Sequence, residues 1–525
     1  MIPAAPPSPE RLAEILGMPL PTPEQARIIA HPLAPLLVVA GAGSGKTATM
    51  SQRVVHLVAG GQVRPDQILG LTFTRKATAE LEQRVRTRLA QLAVSGLPGL
   101  PELDEEAGPT IATYNAFAGS LVRDHGLRLG IDPDSTLITE ARAWQIATRI
   151  VTERTEPLPL DKPGAAATAL LALDGALSEN LLSVADAAEQ LGDLAALMEG
   201  IGSVRGCKTL VRGVPEALTT RLGMLDAVAA YRDYKLRHSL LDFGDQIALG
   251  CRIAEEVPDV AQSLRTQYPA VLLDEFQDTS VAQIRLLAAL FSDSGVTAVG
   301  DPNQAIYGWR GASAGALDTF HEYFNPGAGT DGVDERAPVL PLSTAWRNDR
   351  AILRAANVTS SPLRHHAPQP GDAAVARIPV DELHERPEAA GLAEGVVVGA
   401  FVQDPLAEAR TIADFMEERW SPQVEMAVLC RTRAQLVPIA DALEELGVPY
   451  EIVGLGGMLS VPEVADVRAA LTVAADPERG DRLLRLLTGA GIGAADLRAL
   501  AALARAQVRS AREQAGDGRS QAERE

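Results

Sequence analysis

The sequence predicts an α/β protein: a parallel sheet covered by helices on both faces and interrupted by an inserted helical segment. Three observations carry this. A short apolar run with β-branched residues, 35–40, passes through a glycine loop into a helical pattern marked by Val54, Val55 and Val58. Further apolar runs at 68–73, 110–113, 271–273 and 296–299 alternate with helical patterns, and strands joined by crossover helices pair in parallel. From about 126 to 238 the chain is Ala- and Leu-rich and mainly helical. That separation is longer than a βαβ series needs, so the stretch reads as an insertion into the sheet.

Each element follows from its residues. The run PLLVVA (35–40) ends in Gly41-Ala42-Gly43-Ser44-Gly45-Lys46-Thr47. The strand 68–73 leads into a polar helix from 76 to about 92, and the Gly/Pro/acid stretch 96–109 reads as a surface loop. Strand 110–113 restarts the alternation. After the insertion, 271–273 runs into Asp274-Glu275 and 296–299 into Gly300-Asp301. Loops are expected at 325–338 and 360–372, and the tail from about 505 mixes both charge signs without bulky apolar residues, as a solvated helix end or linker does. His365 and His366 have no Cys, Asp or Glu at ligand spacing and read as loop histidines.

A chain of 525 residues has room for three or four domains, and 46% hydrophobic residues supply ordinary globular cores. Lys+Arg of 48 against Asp+Glu of 68 leave a net charge of −20, which excludes an all-over basic coat for a polyanion. Contact with nucleic acid must be local. Cys207, Cys251 and Cys430 are neither paired like zinc ligands nor dense like a disulfide scaffold, so a reducing, cytoplasmic setting is expected. No leader and no apolar stretch of membrane-spanning length is visible, so no membrane partner is expected.

The segment AGAGSGKT (40–47) is a phosphate loop with Ala40 in the leading glycine position, placed after a strand and before a helix. The backbone N–H groups of Gly41, Ala42, Gly43, Ser44 and Gly45 can crowd around phosphate oxygens. Lys46 can neutralise β/γ charge, and the Thr47 hydroxyl can ligate Mg2+. ATP or GTP binding is expected. Alone, Asp274-Glu275 would more often be a solvated turn. At a strand end beside a phosphate loop it divides into a Mg2+ ligand, Asp274, and a general base, Glu275.

Seven stretches in order then resemble one family, the UvrD/PcrA/Rep branch of superfamily 1 DNA helicases. They are TPEQ (22–25), AGAGSGKT, LTFTRKATAEL (71–81), ATYNAF (112–117), LLDFGD (240–245), LLDEFQDTS (272–280) and VGDPNQAIYGWRGA (299–312). The resemblance implies P-loop NTPase chemistry in RecA-like motor domains with helical insertions, using ATP and Mg2+. It makes Gln25 the adenine-reading glutamine and Gln304 the γ-phosphate sensor. Tyr307, Trp309 and Arg310 meet single-stranded DNA, together with Phe73, Arg75 and Tyr114 from the other motifs. LSTAWRN (342–348) resembles the motif whose arginine, here Arg347, reaches the γ-phosphate. The phrasing of VRPDQILGLTFTRKA, VRDHGLRLGIDP and LLRLLTGA looks closest to actinobacterial helicase–nuclease subunits of the AdnAB type.

On this resemblance, residues 1–125 and 239–311 form a first motor domain and 126–238 its helical insertion. Residues 312–475 begin a second motor and 476–525 begin its insertion. Asn115, Ala48 and Ala345-Trp346 depart from the usual His, Arg and Asn-Tyr. Nothing after 475 resembles the remaining motifs, so the chain looks like the N-terminal part of a longer enzyme. The implied function is ATP-driven 3′ to 5′ movement on single-stranded DNA and unwinding of duplex in repair or recombination, with a second helicase–nuclease subunit as an implied partner. The alternative is an ATP- and DNA-binding module that does not turn over.

Overall fold

The computed structural model describes residues 7–97, 108–204, 207–209, 211–292, 294–308, 311–312, 315–325, 337–365, 378, 380–453, 462–477 and 479–522. Two compact units divide the chain, Met1–Val397 and Val398–Glu525.

The first unit is built on a six-stranded sheet. Its strands are β1 (Leu36–Ala40), β2 (Ile68–Thr72), β3 (Thr110–Thr113), β4 (Ala270–Leu273), β5 (Gly295–Gly300) and β6 (Val339–Leu342). Their spatial order is β3-β2-β4-β5-β1-β6, and every pair is parallel. Successive side chains along a strand go to opposite faces. Leu37, Leu69, Leu71, Val271 and Leu273 therefore pack on one side with Phe117 and Leu121 of helix Tyr114–His125, and with helices Phe243–Glu256 and Val281–Phe291. Leu36, Val38, Ile68, Ala270 and Leu272 pack on the other side with helices Pro9–Ile15, Lys46–Ala59 and Arg75–Ala93. Covered faces account for the near-continuous apolar runs.

Strand β6 is absent from the sequence reading, which ends the first sheet-bearing domain at 311. Pro341 masks it there, because proline reads as a breaker. In the sheet β6 is an edge strand with β1 as its partner and Val39 opposite Pro341, and an edge tolerates a residue without an N–H. The first residues of the loop expected at 360–372 are helical instead, because helix Arg350–His365 runs through Pro362 to His365; residues 366–372, His366 among them, lie outside the described residues.

In the second unit, helices Pro405–Glu417 and Leu436–Glu445 pack through Ala409, Ala413, Ile439, Leu443 and Val448. Helices Pro462–Ala475 and Gly480–Gly489 are joined by Arg485 and Asp466 at 2.7 Å, and helix Ala494–Ala522 follows. Among the described residues this unit has no strand, and Leu429 and Val453 of its apolar segments are exposed. No described helix of the protein is long and apolar enough to cross a membrane.

Between β3 and β4 the chain leaves the sheet for four helices, Glu140–Glu153, Pro163–Glu179, Val184–Ser203 and Val214–Arg237, which share their own core of Ile146, Leu170, Leu177, Met224, Val228 and Tyr231. The outgoing and returning segments pair in parallel, Thr136 with Leu240 and Leu137 with Leu241. At that neck Lys235, with its side chain 3% exposed, contacts Asp174 at 3.1 Å, Asp242 at 2.6 Å and Asp245 at 2.8 Å. Asp242 and Asp245 form the capping box of helix Phe243–Glu256, so one buried ammonium ties the insertion to the sheet unit. Burial and the neighbouring Asp242, opposed by Lys235, push Asp245 up to about 6. Removing one partner from a buried ionic cluster costs about 3–5 kcal/mol. Lys235→Met is therefore expected to destabilise the first unit by about that amount in denaturant unfolding; a change below about 1 kcal/mol would show that the cluster does not hold the neck.

Candidate functional site

Three adjacent strands, β4, β5 and β1, end at the same edge of the sheet, and each delivers a chemical element there. β1 delivers the phosphate loop. Gly43 and Gly45 have φ of 73° and 84°, backbone that a side-chain-bearing residue adopts only with strain. Gly45 starts helix Lys46–Ala59, with Thr47 in its first turn. The N–H groups of a helix start are unsatisfied within the helix and favour an anion. The Ser44 hydroxyl is buried with no protein partner.

β4 delivers the acidic pair. The Asp274 N–H donates to the Leu71 carbonyl at 2.9 Å, holding the strand end in the sheet. Glu275 adopts φ 49°, a left-handed conformation rare outside glycine and found where a site over-determines its backbone. Lys46 Nζ donates to Glu275 Oε2 at 3.1 Å. Burial and the Glu275 carboxylate, against Lys46, push Asp274 up to about 6. Burial and Glu275 push Asp278 up to about 6 as well. This crowded acidic pocket calls for cationic charge.

β5 delivers Asp301 and Gln304. Gln304 Nε2 donates to Asp301 Oδ2 at 2.6 Å, and the Asp301 N–H donates to Gln277 Oε1 at 3.0 Å. Gln277 Nε2 donates to Glu275 Oε2 at 2.9 Å and to Asp278 Oδ2 at 3.2 Å. Gln277, 3% exposed, thus joins the Asp301–Gln304 pair to the Glu275 and Asp278 carboxylates. It went unassigned in the sequence reading, although its place two residues after Glu275 was the available signal. The approach requires glycine at 300, where a Cβ would lie 2.7 Å from Gln277 Oε1.

Two further segments close on the loop. Gln25, on helix Pro23–Ala30, uses its Oε1 to accept from the Thr22 N–H at 3.0 Å, and its Nε2 lies 3.3 Å from where a Cβ of Gly45 would be. The Trp346 N–H donates to the Gly43 carbonyl at 2.9 Å, and Arg347 Cβ lies 3.0 Å from a Cβ position on Gly43. The exposed Arg347 thus stands beside the loop. The Trp346 indole Nε1 is buried without a partner, a second residue the sequence reading left without a role.

Mg2+ fits this donor set. It prefers hard oxygens and is commonly held by one or two carboxylates plus substrate phosphate, which Asp274, the Thr47 hydroxyl and a bound nucleotide would supply. The described residues contain no cluster of three or more His, Cys, Asp or Glu that could hold a metal alone.

On the β2–β3 side of the edge, a cavity of about 650 Å³ is lined by Phe73, Arg75, Asn115, Phe243 and Gln283 among others. Phe73 packs against Tyr307 with ring centroids 4.7 Å apart. Gln283 Nε2 donates to Asn115 Oδ1 at 3.2 Å, and Phe243 is half exposed, a ring that the sequence reading did not single out. Tyr114 differs from the expectation of a base-contacting ring. It is 4% exposed and donates its hydroxyl to the Asp274 carbonyl at 2.9 Å, so it braces the acidic strand end against the cavity wall and presents little surface to a base. Trp309 and Arg310 lie outside the described residues.

The profile of the UvrD/REP helicase N-terminal domain matches residues 21–325. The chain is similar to the ATP-dependent DNA helicase PcrA of Leuconostoc citreum, 26% identical over 494 residues that cover 92% of this chain and 56% of that one. PcrA of Bacillus subtilis is 26% identical over 486 residues, covering 90% and 55%, and the ATP-dependent DNA helicase UvrD1 of Mycobacterium tuberculosis is 27% identical over 501 residues, covering 92% and 56%. The chain spans about half the length of the curated relatives it matches. With the profile matching more than half of its residues, and over the strands that build this edge, the chain belongs to the UvrD/REP helicase family.

Proposed function

We propose that the protein is the ATP-binding motor part of a DNA helicase that couples ATP hydrolysis to 3′ to 5′ movement along single-stranded DNA, in DNA repair or recombination. The observation that carries this reading is the convergence of Lys46, Glu275 and the Gln277–Asp301–Gln304 chain at one sheet edge. Next to it lies an aromatic-lined cavity that shares Tyr114 with the acidic strand end.

Each residue has a task. Backbone N–H groups of 41–45 and Lys46 hold the phosphates, Thr47 and Asp274 hold Mg2+, and Gln25 reads the adenine edge. When bound, Mg2+ would supply neutralisation of phosphate charge. Nucleotide entering the loop competes with Glu275 for Lys46 and frees that carboxylate to orient and deprotonate the attacking water. Gln304 senses the γ-phosphate and Arg347 meets it from the neighbouring segment. Phe73, Arg75, Tyr307, Trp309 and Arg310 carry the strand by stacking and phosphate contact.

In this reading 126–238 is an insertion in the first motor and the residues after β6 lead into the second. The narrower kinship is with AdnAB-type helicase–nuclease subunits, with a second such subunit as partner and the cytoplasm as the setting.

ATP hydrolysis measured with and without single-stranded DNA tests the reading, and DNA stimulation is the expected result. Lys46→Ala should abolish nucleotide binding while the fold survives, because one cation on a glycine loop contributes little to the core; parental nucleotide affinity in the variant would sink the site. Glu275→Gln should keep ATP bound and block turnover, since shape is kept and the base is lost. Phe73→Ala should weaken single-strand affinity by about 1–3 kcal/mol in a titration, and an unchanged isotherm would remove Phe73 from the track.

A further inference from the structure

Helix Pro23–Ala30, which carries Gln25, is eight residues long, and so short a helix is held in place by its contacts more than by its own stability. Ile28 and Ile29 bury its apolar face, and polar contacts fix its two ends. Arg53, in the helix that begins at Lys46, is 0% exposed. Its Nη1 donates to the carbonyls of Ile28 at 3.0 Å and His31 at 2.7 Å, its Nη2 to Pro32 at 3.0 Å, and its Nε to Thr297 Oγ1 at 3.0 Å. No carboxylate pairs with it among these contacts. The terminal carbonyls of the Gln25 helix, the negative end of that helix, take its charge instead. Burial lowers its pKa to about 10, so it remains a cation at neutral pH.

At the other end, Glu24 accepts from the Ser343 hydroxyl at 2.6 Å and the Ser343 N–H at 2.9 Å. Ser343 is 2% exposed and directly follows β6, on the way to Trp346 and Arg347. The C-terminal clamp therefore belongs to the phosphate-loop helix and to β5, and the N-terminal clamp to the segment that carries Arg347. Between them, Gln25 Nε2 is held against Gly45.

We propose that Arg53 and Glu24 are positioning residues for base selection: they fix the height and tilt of the Gln25 helix over the phosphate loop, so that adenine is told from other bases while both clamps are closed. This rests on the reading of Gln25 as the base-contacting residue. None of these hydrogen bonds involves residues 41–47 of the phosphate loop, so the two parts of nucleotide affinity separate. Loosening a clamp moves the base contact and leaves the phosphate cradle in place, whereas a general loss of packing would weaken both.

The test is equilibrium binding of ATP, GTP and inorganic tripolyphosphate to the full chain, for the parent, Arg53→Lys and Glu24→Ala. The parent should prefer ATP to GTP by about tenfold or more. Each variant should lose about five- to tenfold in ATP affinity with tripolyphosphate affinity unchanged, bringing the ATP/GTP ratio towards one. Glu24→Ala acts at the half-buried end and leaves the core closed, so it decides the matter if Arg53→Lys does not fold. Variants that keep the parental ratio, or that lose tripolyphosphate in proportion to ATP, overturn the clamps alone. A parent that binds ATP and GTP equally overturns the Gln25 reading and the proposal with it.

Discussion

The parallel pairing of β5 with β1 on one side and β4 on the other is the constraint on which the rest of the site depends. Residues far apart in sequence meet because three neighbouring strands point the same way and end together. Lys46 at the end of β1 reaches Glu275 at the end of β4, across the strand whose own end supplies Asp301 and Gln304. A parallel sheet concentrates its loops at its carboxyl edge, and this is where α/β proteins bind ligands. The crossovers that parallel pairing demands supply the helices that bury the sheet and make its strands so apolar.

The edge is electrostatically unsettled by itself. Asp274, Glu275, Asp278 and Asp301 crowd one pocket, and burial raises the pKa of Asp274, Asp278 and Asp301. Lys46 offsets part of this repulsion and Gln277 distributes hydrogen bonds among the acids. A metal-bound nucleotide would bring the missing cation and give Lys46 a stronger anion. The left-handed backbone of Glu275 belongs to the same arrangement: strain at this residue is held by β4 before it and by the turn Phe276–Asp278 after it.

Connections radiate from this edge. Tyr114 joins the aromatic cavity to the Asp274 carbonyl, so the cavity wall and the placement of the acidic strand end share one side chain. Arg53 and Glu24 fasten the Gln25 helix to the phosphate-loop helix and to the Arg347 segment. Lys235 fastens the insertion to the helix whose capping box is Asp242 and Asp245. Each connection is a buried or half-buried polar contact, and such contacts are strongly directional, since a polar group left unpaired in the interior bears its full desolvation cost.

The parallel α/β class, five strands of the sheet, the phosphate loop and the acidic pair were legible in the residues, because each is encoded locally by an apolar run, its flanking punctuation and a motif. Strand β6 was not, since Pro341 reads as a breaker until the neighbour that makes it an edge strand is known. The burial of Tyr114, the bridging by Gln277 and the clamping by Arg53 were not legible either. Arg53 stands in an amphipathic helix like any other arginine, and only the folded chain brings the carbonyls of Ile28, His31 and Pro32 and the hydroxyl of Thr297 around it. Local sequence determined which groups could do chemistry; the tertiary structure decided which of them meet, because hydrogen bonds and charges act over a few ångströms and the chain brings distant residues that close only after its strands have paired.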